Sequence, residues 1–176
     1  MKILITGTCG FIGFNLAKKF LESNVKFKII GIDNFDNYYS IKLKKKRLAI
    51  LKSYKNFKFT KLDIVDKKKT EIFVKKKKFD YVIHLAAQAG VRYSLIDPKK
   101  FIDVNLIGYI NLLDALVKNK PKKIFYASSS SVYGDNDKFP LKETEKLSPK
   151  NIYGVSKKLN EIISKYYSKK YDIKMV

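Results

Sequence analysis

Tyr153 and Lys157 open the last long polar-apolar segment of the chain, four residues apart in Asn151-Ile-Tyr-Gly-Val-Ser-Lys157. That spacing puts both side chains on one face of a helix. A phenol is a poor base at its reference pKa of about 10. An ammonium ~4 Å away stabilises the phenolate by up to ~4 kcal/mol at an effective dielectric of 20, or about 3 pKa units. Such a pair can exchange a proton near neutral pH. Tyrosine and lysine are both common in this chain, so the spacing alone also arises by chance; its setting has to support it.

A second group lies at the N-terminus. Gly7-Thr-Cys-Gly10-Phe11-Ile12-Gly13 follows an apolar run and precedes a helical pattern. In G-x-x-G-x-x-G the first glycine turns sharply, the second lets backbone approach a pyrophosphate, and the third lets helix pack on strand. The N–H groups and positive dipole end of that helix then face the phosphates. Asp33 follows the second apolar run, 20 residues past Gly13, where a carboxylate accepts hydrogen bonds from an adenosine ribose. It would repel a 2′-phosphate, and no arginine is adjacent in sequence, so NAD is expected over NADP. Asp63 in KLDI is placed either to reach an adenine ring or to cap a turn. A positively charged nicotinamide ring would help stabilise the Tyr153 phenolate.

Between these groups, Ser128-Ser-Ser-Ser-Val-Tyr-Gly134 ends the apolar run KKIFYA. Four hydroxyls there are either a linker or a donor cluster at a strand end, and no acid is among them. His84 is the single histidine and ends an apolar run, which fits a structural role better than proton transfer.

These residues must be positioned by elements, and the pattern supplies them. Short apolar runs at 2–6, 26–30, 57–60, 79–85, 123–128 and 172–176 read as strands covered on both faces. Helical patterns fall at 11–23, 40–52, 66–77, 98–118 and 151–169, the fourth with Asp97 as N-cap and Pro98 at the first helical position. Alternating strands and helices predict βαβ units and a parallel, doubly wound α/β sheet. At 176 residues this is one domain. No segment approaches 18 continuous apolar residues, so no membrane span is expected, and MKILITG is too short a run for a signal peptide. One cysteine, Cys9, allows neither an internal disulfide nor a metal cluster, and a cytoplasmic location is expected. The formal net charge is +22, yet only Arg47 and Arg92 are arginines and the lysines are spread along the chain. That distribution reads as solvated surface rather than a specific nucleic-acid site, which favours arginine. It would still attract anionic ligands.

With the glycine loop, Asp33, SSSSVYG and Tyr153-x-x-x-Lys157 in this order, the chain resembles the extended short-chain dehydrogenase/reductases, the NAD-dependent nucleotide-sugar epimerases and dehydratases. His84-Leu-Ala-Ala-Gln-Ala-Gly-Val-Arg-Tyr-Ser94 and Asp33-Asn-Phe-Asp-Asn-Tyr-Tyr39 are similar to segments of the UDP-glucuronate 4-epimerases. The resemblance runs through essentially the whole chain. It implies a Rossmann-like doubly wound sheet with helices on both faces, an NAD-binding domain over 1–176, and a C-terminal truncation before the family's smaller substrate domain. The sheet edge and docking face that this would expose leave room for a homodimer. It also implies Gly7, Gly10, Phe11, Ile12, Gly13, Asp33, Asn34, Asp63, Ile64, Leu85, Ala86, Ala87, Asn105, Tyr153 and Lys157 as cofactor contacts. Arg92, Ser94, Ser129 and Ser130 would meet a UDP-sugar, with Ser129 on its reacting hydroxyl and catalysis shared by Ser129, Tyr153 and Lys157. No metal is implied. The implied reaction is 4-epimerisation through a 4-keto sugar that turns in the site. In the family's dehydratases and decarboxylases an acid stands where this chain has Ser130 or Ser131, so neither of those reactions is expected.

Overall fold

In the computed structural model, which describes residues 1–137 and 139–176, five parallel strands form one sheet in the order β3-β2-β1-β4-β5. They are β1 Lys2–Thr6, β2 Lys28–Asp33, β3 Phe57–Lys61, β4 Tyr81–His84 and β5 Lys123–Tyr126. The helices are α1 Phe11–Glu22, α2 Ile41–Lys52, α3 Lys67–Lys75, α4 Val91–Ile96, α5 Pro98–Ile102, α6 Gly108–Val117 and α7 Ile152–Tyr171. The chain order reverses between β1 and β4, and at such a switch point the strand ends open a crevice.

The two-residue alternation of β1 explains the two cores. Ile3 and Ile5 pack with Ile29, Phe57, Ala17 and Leu21 of α1 and Leu48 and Leu51 of α2. Leu4 faces the other way, against Val82, Ile124, Phe73 of α3, Leu112 and Leu116 of α6 and Tyr167 of α7. Burying each such side chain stabilises by about 1.5–3 kcal/mol, so helices on both faces are held by the central strands.

Three sequence expectations change. The second strand runs over Lys28–Asp33 rather than 26–30. Its register pairs Lys28 with Lys2 and Ile32 with Thr6, and it keeps Gly31, because a Cβ there would stand 2.7 Å from Thr8 Oγ1. The helix expected over 98–118 is divided by a π turn, Asp103–Ile107, where the Gly108 N–H reaches the Asp103 carbonyl. One extra residue in that turn re-aims Asn105 inward, a device common at functional sites. The sixth strand is reduced to one parallel bridge, Ile124 with Met175, flanked by the Ile124 N–H to Lys174 O (2.8 Å) and Tyr126 N–H to Val176 O (2.9 Å) bonds. Helix α4 was not expected. It begins after Gly90, whose φ of 107° few other residues adopt.

The caps follow the sequence. Asp97 accepts from the Lys100 N–H at 3.1 Å, with Pro98 first in α5. Asn151 accepts from the Gly154 N–H at 2.8 Å and so fixes the start of α7, and with it Tyr153 and Lys157.

Candidate active site

A cleft of about 570 Å³ runs across the strand ends at the switch point. Its walls carry Gly7, Gly10, Phe11, Ile12 and Gly13 at one end and Tyr153 and Lys157 at the other. Gly7 has φ 69° and its missing Cβ would stand 2.9 Å from the Ala86 nitrogen; a Cβ on Gly13 would stand 2.2 Å from the Gly7 carbonyl oxygen. The loop is thus folded against both β4's exit and α1's first turn. No side chain caps α1 and no acid lies in its first turn, so its N–H groups and dipole face the cleft. This is a cradle that fits a pyrophosphate.

Asp33 sits beside the cradle, 6% exposed. Its two oxygens accept from the Cys9 N–H at 3.0 Å and the Phe35 N–H at 2.9 Å, so its remaining lone pairs face the cleft. The sequence places no arginine adjacent to Asp33, but α2 brings a lysine close to it and an arginine to the neighbouring glycine loop. Lys44 Nζ of α2 lies 3.7 Å from the carboxylate and donates to the Asp36 carbonyl at 2.9 Å. Arg47, one turn on, donates to the Cys9 carbonyl at 3.3 Å and lies 5.8 Å over the Phe11 ring. The Asp33 carboxylate is therefore partly offset by Lys44, with Arg47 on the same loop, a more cationic setting than sequence adjacency suggests. Asp63 caps its turn, accepting from Val65 N–H (2.9 Å), also accepts from Asn34 Nδ2 (3.0 Å), and with Asn34 and Ile64 lines the wall. Cys9 is fully buried, and burial, reinforced by Asp33, pushes its thiol up to about 12.

At the other end Lys157 is 4% exposed and donates to the Ala127 carbonyl at 3.0 Å, tying α7 to the end of β5. Burial lowers its ammonium to about 8. One of three donors is used there, and the side chain faces the cleft beside Tyr153. Leu85, Ala86 and Ala87 form the floor between the two ends. Their backbone is held by Thr6, whose hydroxyl oxygen accepts from the Leu85 and Ala86 N–H groups at 3.1 and 3.0 Å. Both lone pairs being taken, the Thr6 proton points to His84 Nδ1 at 2.9 Å. His84 therefore carries its proton on Nε2, stacks on Tyr109 at 4.8 Å and is held neutral, its pKa lowered to about 3 by burial and then by Lys157. Its role is structural, as the sequence suggested.

Several expected residues do not reach this wall. Asn105 is 1% exposed and was expected on the cofactor. Its amide N–H groups go to Gln88 O (3.1 Å) and Ser156 Oγ (2.9 Å), and its oxygen takes the Gln88 N–H (2.8 Å), making it a strut between floor and α7. Ser94 was expected on the sugar but is fully buried, with its hydroxyl donating to Val91 O at 2.6 Å. Arg92 stands exposed on α4, off the wall. Of the serines, Ser128 lines the cleft, while Ser129 caps the short turn Ser130–Val132 by accepting the Ser131 N–H at 3.2 Å. Ser130 is exposed in that turn. Ser128 in turn donates to Glu161, an acid supplied by α7 two turns beyond Tyr153 and itself off the wall. The polar and aromatic wall residues that sequence reasoning missed include Tyr38, Tyr39, Lys44, Arg47 and Ser128. The segment Asp33–Tyr39 had signalled the first two only by resemblance.

Comparison with known proteins agrees with this fold. The family described as GDP-mannose 4,6 dehydratase matches residues 4–176. An uncharacterised protein of Methanocaldococcus jannaschii is 44% identical over 175 residues, covering 99% of this chain and 54% of the relative. A probable UDP-glucuronate 4-epimerase of Rhizobium meliloti is 38% identical, covering 98% and 50%. The crystal structure of UDP-glucuronic acid 4-epimerase from Bacillus cereus with UDP-glucuronic acid and NAD superposes with a TM-score of 0.92 at 33% identity, covering all of this chain and 55% of that one. The chain spans about half the length of the curated relatives it matches. It belongs to the GDP-mannose 4,6-dehydratase family, among the extended short-chain dehydrogenase/reductases that include the NAD-dependent UDP-sugar 4-epimerases.

Proposed function

We propose that residues 1–176 form the NAD-binding, proton-transferring half of a nucleotide-sugar 4-epimerase acting between UDP-glucuronate and UDP-galacturonate. The observation that carries this reading is that one cleft holds the phosphate cradle, Asp33 and the Tyr153–Lys157 pair. The Bacillus cereus neighbour was solved with NAD and UDP-glucuronic acid, which supports both ligands here. The glycine loop and α1 N-terminus fit the pyrophosphate, Asp33 the adenosine ribose, Asn34 and Asp63 the adenine side, and Leu85 to Ala87 the nicotinamide half.

Bound NAD+ supplies a reversible hydride acceptor at the sugar C4. Tyr153 takes the C4 hydroxyl proton as the C4–H bond breaks and the carbonyl forms. Lys157 stabilises the phenolate by charge and holds a ribose hydroxyl with a donor that Ala127 does not use. Ser129 or its neighbour Ser128 hydrogen-bonds the reacting oxygen. After the 4-keto sugar turns, Tyr153 returns the proton as C4 regains hydride on its other face. The net redox change is zero. Dehydration and decarboxylation need a further acid beside the substrate; Ser130 and Ser131 stand at those positions, and Glu161 is engaged with Ser128.

A second reading, an NAD-binding module without turnover, draws on the half-length coverage of the relatives. Calorimetric titration with NAD+ and with UDP-glucuronate separates the two. The epimerase half binds both; a bare module binds NAD+ alone; a chain that binds neither defeats both readings.

A further inference from the structure

The segment Asp33-Asn-Phe-Asp-Asn-Tyr-Tyr39 is more rigidly built than a connecting loop requires. Three of its side chains cap the backbone two residues on: Asp33 takes the Phe35 N–H, Asn34 the Asp36 N–H and Asp36 the Tyr38 N–H, each at 2.9 Å. Phe35 is left-handed at φ 61°. Asp36 also pairs with Lys100 of α5 at 2.8 Å, both half-buried. The loop is thereby pinned to the cradle at one end and to α5 at the other.

What the pinning delivers is Tyr38. Its hydroxyl is seated on Gly90, where a Cβ would stand 2.2 Å away. Its ring packs on Tyr39 at 4.6 Å and on Tyr93 at 4.9 Å. Tyr93 meets the fully buried Phe101 at 6.2 Å, and Phe101 presents its edge to Tyr153 at 6.1 Å and 72°. Lys100, beside Phe101, also lies 5.6 Å over the Tyr93 ring. An unbroken row of rings therefore runs from the loop beside Asp33 to the phenol at the reaction end.

We propose that Tyr38 is a positioning residue for Tyr153: through Tyr93 and Phe101 it sets where the phenol stands relative to Lys157. The proposal rests on the reading of Tyr153 as the base. The attraction between any phenolate and ammonium falls as the inverse of their distance, which between ~4 and ~5 Å at an effective dielectric of 20 is roughly a fourfold change in an equilibrium constant. Among the titratable groups that line the cleft with Tyr153 are Lys157 on its own helix and Tyr39, which is close enough to feel it. Tyr39 is raised by its own burial and then by Tyr38 and Tyr153, consistent with three neighbouring phenols.

The test labels the tyrosines at Cζ and follows Tyr153 by NMR in the full chain, its resonance assigned by loss in Tyr153→Phe. Tyr38→Ala and, separately, Gly90→Ala are expected to move the Tyr153 resonance in a chain that keeps its α/β circular dichroism spectrum. Where the wild type turns over, its first-order rate falls about fourfold or more. Tyr38→Phe, which keeps the ring, restores both. A folded Tyr38→Ala or Gly90→Ala chain with an unmoved Tyr153 resonance overturns the proposal, as does failure of Tyr38→Phe to restore it. The resonance is read without substrate, so a chain that proves inactive sinks the functional reading and leaves this test standing.

Discussion

Lys157 carries the sharpest conflict in the molecule, an ammonium 4% exposed with a carbonyl for its partner. Its folded pKa of about 8 lies below the ordinary 10.5, so folding bears the full cost of burial below pH 8 and that cost fades between 8 and 10.5. Each pKa unit corresponds to 1.36 kcal/mol, so Lys157→Met should stabilise the ligand-free chain by about 1–3 kcal/mol at pH 7. Urea unfolding checks this, and NAD affinity should fall in the same variant. No gain in stability would mean that the ammonium is better satisfied than its geometry indicates. Tyr153→Phe should instead leave NAD affinity within about threefold and lower turnover by about 10²–10⁴, the range for a lost proton-transfer group. Asp33, Tyr153 and Lys157 were legible in sequence because each sits at a fixed offset within one element or one loop. Lys44 and Arg47 were not, because what brings Lys44 to Asp33 and Arg47 to Cys9 is the packing of α2 over the glycine loop. Ser128 was passed over for Ser129 because the turn geometry that separates them depends on the backbone, and four identical hydroxyls carry no signal of direction.

At the scale of elements, β1 and β4 are joined at their ends by Thr6 and His84, and this joint holds the floor of the cleft. His84 titrates at about 3 when folded against an ordinary 6.5, so the unfolded chain binds the extra proton between those values. Stability should fall by up to ~1.4 kcal/mol per pH unit as pH drops below 6.5. His84→Gln should flatten that slope, as denaturation at pH 5 and 7 would reveal; an unchanged slope would remove His84 as its source. Gly13→Ala tests the cradle, since a Cβ 2.2 Å from the Gly7 carbonyl oxygen must force α1 away from the loop. NAD binding should be lost by calorimetry while the circular dichroism spectrum stays α/β. The alternation of strands and helices was readable because buried parallel strands are continuously apolar. The π turn was not, since one extra residue barely disturbs the apolar period of Leu112, Leu113 and Leu116. Helix α4 escaped because its six residues show no period at all, and Gly90 reads as a loop signal.

Across the whole molecule, the sheet, its two cores and the cleft at its switch point follow from β1 lying between β2 and β4. The net charge of +22 covers this frame with lysine, and a cleft approached through such a field should take up dianionic ligands faster at low salt. If the charge instead served nucleic acid, RNA affinity would show a steep salt slope and NAD would not alter it. NAD at 100 times its dissociation constant should stabilise the fold by about 2.7 kcal/mol. The chain spans about half the length of its relatives, so the central claim concerns chemistry rather than resemblance. The most direct measurement is incubation of the purified chain with NAD+ and UDP-glucuronate, with chromatographic separation of the two epimers. The account predicts UDP-galacturonate from the wild type and none from Tyr153→Phe. Product that persists in Tyr153→Phe, or a wild type that binds NAD and both sugars yet forms none, would contradict it.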